Sequence, residues 1–169
     1  MKQGAFTFVL HSHLPYCRMA GRWPHGEEWL HEAASETYIP LLNRLYDLVE
    51  AGHPIRLTIG LTPVLLEQLS DPLVLDHLVR YLEGRCDAAE ADISRFEASG
   101  EGHRAYLARF YYDWYGDGLR SLQERFGGEL IGAFRWLQDE GYIEILTSAA
   151  THAYLPLLGR DSSIYGQLR

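Results

Sequence analysis

Lysine is almost missing from this chain. Of its 15 basic residues only Lys2 is not an arginine, and 23 acidic residues leave a net charge of -8. With no basic cluster, a nucleic-acid partner is excluded. Cysteine is scarce too. Cys17 and Cys86 form neither a C-x-x-C motif nor a disulfide framework, which fits free thiols in a reducing compartment. No apolar run approaches the ~18 residues of a membrane span. The start Met1-Lys2-Gln3 lacks the cationic, apolar and small-residue segments of a signal peptide. The expected location is therefore cytoplasmic, with no membrane partner. There is no Ser/His/Asp elbow, phosphate loop or dinucleotide loop, since Gly127-Gly128 is flanked by helical patterns. No cofactor is expected. What is present is the make-up of a globular protein: 169 residues, 47% hydrophobic and 22% charged, enough for one domain with a core.

The chain organises around His11-Ser12-His13-Leu14-Pro15-Tyr16. It follows Ala5-Phe6-Thr7-Phe8-Val9-Leu10, which has the length and residue types of a buried strand. In a strand, residues two apart share a side, so His11 and His13 stand together at its C-terminal end. In α/β folds ligands bind at that end. Residues 17–29 read as an irregular loop, with Trp23 and Trp29 as anchors or as platforms for sugar rings.

Apolar spacing predicts a helix over 32–50, kinked or broken near Ile39 by Pro40. A strand over 55–59 completes a βαβ unit, so the sheet is parallel. Thr62-Pro63 and Asp71-Pro72 read as helix starts, with Thr62 and Asp71 as N-caps. Helices follow to about Ala98, over 103–126 and over 129–140. The stretch from about 63 to 140 exceeds a minimal crossover and reads as a helical insertion. Its aromatic block, Tyr106 to Tyr115, is assigned to helix packing. A third strand, 142–147, runs into a second histidine loop carrying His152, and a helix begins at Asp161. Three parallel strands leave an open edge and an incomplete core. The expectation is an N-terminal part of a larger protein.

On residues alone, the His-x-His pair has three readings: two metal ligands completed by His152 and a carboxylate, hydroxyl-binding groups of a sugar subsite, or a cap on the strand end. Glu144 falls inside a strand read as buried, so it is expected to be paired in the core or turned into the site.

Four stretches carry a resemblance: His11 to Tyr16, Glu36-Thr-Tyr-Ile-Pro-Leu-Leu42, Leu57-Thr-Ile-Gly-Leu-Thr-Pro63, and Glu144-Ile-Leu-Thr-Ser-Ala-Ala-Thr-His-Ala-Tyr-Leu-Pro-Leu-Leu158. Together they resemble glycoside hydrolase family 57, in its 1,4-α-glucan branching branch. The resemblance implies an α/β fold, with residues 1–169 as the N-terminal part of an incomplete (β/α)7 barrel. The rest of the barrel and a C-terminal helical domain would be absent. It implies retaining double displacement on amylose, glycogen or starch, by a Glu nucleophile and an Asp acid/base. Neither maps onto residues 1–169. The site residues it leaves here are His11, His13, Trp29 and His152, binding substrate. No metal is required, and the implied partners are α-glucan and the remainder of the same polypeptide. The alternatives are a family 57 amylase or 4-α-glucanotransferase, a metal-dependent hydrolase or deacetylase half-barrel, and a non-catalytic glucan-binding module.

Overall fold

A computed structural model of the chain describes Gly4, residues 6–21 and residues 26–169. Its three strands, β1 (Val9–Ser12), β2 (Leu57–Leu61) and β3 (Ile143–Leu146), pair in parallel in that order. Register sets which side chains share a face. Leu10, Ile59 and Ile145 form one row, and His11, Gly60 and Leu146 form the next. The first row faces the helices, where Ile59 is fully buried. The second faces away, leaving Val9 63% and Leu146 42% exposed.

That one-sided cover corrects two expectations. The apolar run before His11 is not a buried strand: pairing starts only at Val9, and Phe6 and Phe8 are exposed, while Ala5 lies outside the described residues. A continuous apolar run suits a strand covered on both faces, and here one face is bare. Glu144 is likewise exposed, and accepts a hydrogen bond from the Thr58 hydroxyl at 3.2 Å on the bare face.

The first helical segment starts at Glu28, not near Glu32. It runs as α1 (Glu28–Ala33), a π-turn (Ala34–Tyr38) and α2 (Ile39–Glu50). Pro40 has no N–H to bond the preceding turn, and the wide turn just ahead of it absorbs the mismatch. The chain bends there without breaking. The following helices are α3 (Pro63–Ser70), α4 (Pro72–Ala98), α5 (Gly102–Arg120), a second π-turn (Ser121–Arg125) and α6 (Leu130–Asp139). Asp71 caps α4 as expected, its carboxylate accepting the Leu73 N–H at 2.8 Å. Leu42 and Leu45 of α2, Leu65 and Leu69 of α3, Leu78 and Leu82 of α4, and Phe134 and Leu137 of α6 share one core with Ile59.

The α4–α5 hairpin packs through small residues: Ala105 and Ala108 are buried, and a Cβ on Gly118 would meet Leu82 at 3.8 Å. The aromatic block of α5 departs from the packing role assigned to it. Tyr115 is buried and Trp114 half-buried, but Tyr106, Phe110, Tyr111 and Tyr112 are exposed. Small residues hold the α4 interface, so the large rings turn outward.

The segment after β1 is fixed by one buried amide. Gln68 of α3 accepts the Cys17 N–H at 2.7 Å and the Cys17 thiol at 3.3 Å through Oε1. Through Nε2 it donates to the Pro15 and Val64 carbonyls, each at 3.1 Å. Burial pushes the Cys17 thiol pKa up, and the Glu27 carboxylate adds to the effect. An ion pair between Arg18 and Asp71 ties the same segment to the start of α4. Replacing Gln68 by Leu strands the Cys17 N–H and the Pro15 carbonyl in the interior. At about 1–3 kcal/mol per stranded group, Gln68→Leu is expected to lower unfolding free energy by about 2–6 kcal/mol, read by urea denaturation. A loss below about 0.5 kcal/mol would contradict the clamp.

Candidate functional site

The C-terminal ends of the strands gather three imidazoles. His11 belongs to β1, His13 follows it, and His152 stands in the turn after β3. The His152 ring lies 4.9 Å from the His11 ring and 4.5 Å from the His13 ring, centroid to centroid. Parallel pairing brings the two loops to one end of the sheet, and local contacts set the rings against each other.

Each ring has its own support. Gly60 lies beside His11, where a Cβ would come within 3.3 Å of His11 Nδ1. Glycine at that strand position lets the imidazole settle over the backbone. His13 Nδ1 is 3.2 Å from the Thr62 hydroxyl. Thr62 precedes α3 as expected, but it makes no side-chain cap bond. Its hydroxyl faces the histidine instead.

His152 has a φ of +60°, a backbone conformation uncommon for a side-chain-bearing residue. Its turn is held from below by α7 (Asp161–Leu168). The Ala150 N–H donates to the Gln167 carbonyl at 2.9 Å. The Thr151 N–H and hydroxyl donate to Gln167 Oε1 at 2.9 and 3.1 Å. The Val64 N–H, at the start of α3, donates to the Ala150 carbonyl at 3.1 Å.

Among the three rings, His13 is pushed toward its neutral form. Burial lowers the His13 pKa below its ordinary value of 6.5, and positive charge on His152 and then on His11 lowers it further. A neutral imidazole offers one donor and one acceptor. The rings are tilted 31° and 39° to one another, so they meet by their faces rather than by aiming their nitrogens at one point. Among the described residues no group of three or more His, Cys, Asp or Glu is placed to hold a metal ion. What the stack can do is exchange hydrogen bonds with neutral hydroxyls.

Trp29 is on the first turn of α1, 43% exposed, and is not one of the three stacked rings. Trp23 lies outside the described residues. The residues that sequence reasoning missed are the supports. Gly60 reads only as the end of the second strand, Gln68 has no reading of its own within its helix, and Gln167 reads only as part of the helical face that starts near Asp161.

The sequence as a whole settles the family. The model for glycosyl hydrolase family 57 matches residues 7–169. The chain belongs to that family. It is 43% identical, over 98% of its length, to a 1,4-alpha-glucan branching enzyme of Thermococcus kodakarensis, and covers 24% of that protein. The crystal structure of a branching enzyme of this family from Pyrococcus horikoshii superposes with a TM-score of 0.88 at 47% identity, over 96% of this chain and 30% of that one. The alpha-amylase AmyC of Thermotoga maritima gives a TM-score of 0.81 at 32% identity, over 96% and 30%. The chain thus spans a quarter to a third of the length of these relatives. Its open three-stranded sheet is part of the α/β architecture of the family's (β/α)7-barrel enzymes.

Two outcomes follow for the stack. By NMR titration His13 should lose its proton below pH 6.5. The unfolded chain takes up that proton first as pH falls, so the His13 contribution destabilises the fold below pH 6.5 and the effect grows until the folded pKa is reached. A His13 midpoint above 6.5 would contradict the stacked geometry. Gly60→Ala should displace the His11 ring, seen as altered His11 and His152 ring resonances with the β1–β2 pairing retained.

Proposed function

We propose that residues 1–169 form the N-terminal portion of a (β/α)7-barrel catalytic domain acting on α-glucan. In this reading residues 63–140 are the helical insertion, and the reaction of the whole protein is branching: an α-1,4 link is cut and an α-1,6 link made. The observation that carries it is the 43% identity with the Thermococcus branching enzyme across nearly the entire chain. The geometry supports the substrate class. A hydrogen-bonding patch of imidazoles at the strand ends suits sugar hydroxyls. An exposed indole on α1 suits the C–H face of a pyranose.

His11, His13 and His152 therefore bind and orient a glucose unit, and Trp29 walls it. The Glu nucleophile and Asp acid/base expected from the family resemblance lie outside residues 1–169. The bare face of the sheet, with Val9 and Leu146 exposed, is the side toward which the remaining barrel closes. Glycogen synthesis in a reducing cytoplasm accords with two free cysteines.

Incubation of residues 1–169 with amylose tests this. No α-1,6 branch points and no new reducing ends should form. Maltoheptaose should still bind, with affinity falling about five-fold in His13→Ala and in Trp29→Ala, the loss of one hydrogen bond or one stacking contact. Turnover by this chain, or binding unchanged in both variants, would overturn the reading.

A further inference from the structure

A second cleft opens beside the segment that follows Cys17. It holds about 480 Å³, within the range of small-molecule sites, and its walls include Met19, Glu27, Glu28, His77, Arg80 and Tyr81. None of the three stacked histidines lines it.

Its polar groups are placed in advance. Glu27 is 7% exposed, and its Oε2 lies 2.6 Å from His77 Nδ1. Its other oxygen, Oε1, is buried with no hydrogen-bond partner. A buried carboxylate oxygen without a donor is costly, and the cleft it borders is the place from which a donor can come. Glu28 is held by Arg85 at 2.7 Å, and the Arg85 guanidinium lies 4.9 Å over the Tyr81 ring. Burial pushes the Tyr81 pKa up to about 12, so the phenol stays a hydrogen-bond donor. At the mouth Met19 is 67% exposed and held at a φ of +60°. Among the described residues only Met19 and His152 combine a side chain with positive φ. One stands at the histidine stack and the other at this cleft. Such conformations persist where the surrounding structure imposes them, most often at functional sites.

The charges say what the ligand is not. Glu27 faces His77, Glu28 pairs with Arg85, and Arg80 pairs with Asp76 at 2.8 Å. A charged ligand would have to compete with these pairs. A neutral polyol instead uses their spare lone pairs and N–H groups.

We propose that this cleft is a second carbohydrate subsite, holding a stretch of α-glucan chain separate from the glucose unit at the histidines. It rests on the α-glucan reading above, and in a transfer reaction it is suited to the acceptor chain. Hydroxyls donate to Glu27 and Glu28 and accept from Arg80 and Tyr81, the His77 ring lies alongside, and the Met19 thioether packs on a ring face.

Maltohexaose titrated into the chain, with methionine methyls and histidine rings observed by NMR, tests it. Saturable shifts of the Met19 methyl and the His77 ring are expected. Arg80→Ala, at an exposed position, should weaken those shifts at least three-fold and leave the binding seen at His13 and His152 unchanged. If the histidine stack responds but Met19 and His77 do not, the cleft proposal fails and the α-glucan reading stands. If neither responds, both fail. If Arg80→Ala weakens the two sets alike, the cleft is not a separate subsite.

Discussion

The arrangement depends on satisfying backbone groups where strands give way to loops. A parallel sheet supplies partners only along its strands, and just past the strand ends the chain must find others or expose itself to water. Here two glutamines supply them. Gln68, buried in α3, bonds the segment after β1 at two points. Gln167, on α7, bonds the turn after β3 at two residues. The Gln68 amide is suited to this because it donates and accepts from one planar group, while Gln167 serves as acceptor through its backbone carbonyl and Oε1. Remove these contacts and the sheet would keep its register, but the loops bearing His13 and His152 would lose their fixed positions.

Fixing the loops has an electrostatic result. Three imidazoles within stacking distance cannot all be charged without repulsion, and burial works in the same direction at His13. His13 is thereby biased toward neutral hydrogen bonding.

Much of the scaffold was legible from local signals. Asp71-Pro72 marked the start of a long helix because both residues act within one turn. The parallel sheet followed from strand–helix–strand spacing. Pro40 announced a disturbance at Ile39, but whether a helix breaks or widens into a π-turn is decided by its neighbours. Thr62 looked like a cap, yet its hydroxyl is turned to His13, brought close by pairing of β1 with β2, and its oxygen accepts no N–H from the first turn of α3. The burial expected around Glu144 and the packing role expected of the α5 aromatic block failed for a shared reason. Periodicity says which residues lie on one face and does not say whether anything covers that face. At the site, the histidines could be read from their positions after strands. Gly60 and Gln167 could not be read as supports, because their roles exist only across distant parts of the chain.

The π-turn ahead of Pro40 has a mechanical meaning beyond tolerating a proline. One extra residue in a helical turn rotates everything downstream by about 100°. Upstream of it, α1 meets the α4–α5 hairpin, through Glu28 with Arg85 and His31 against Tyr81. Downstream, α2 meets α6, through the Tyr46 hydroxyl on the Ala133 carbonyl and its ring against Trp136. The turn acts as a phase adapter, letting one continuous rod present its apolar side first to the α4–α5 hairpin and then to α6. The hairpin and α6 can then vary in sequence without forcing a common helical register on each other.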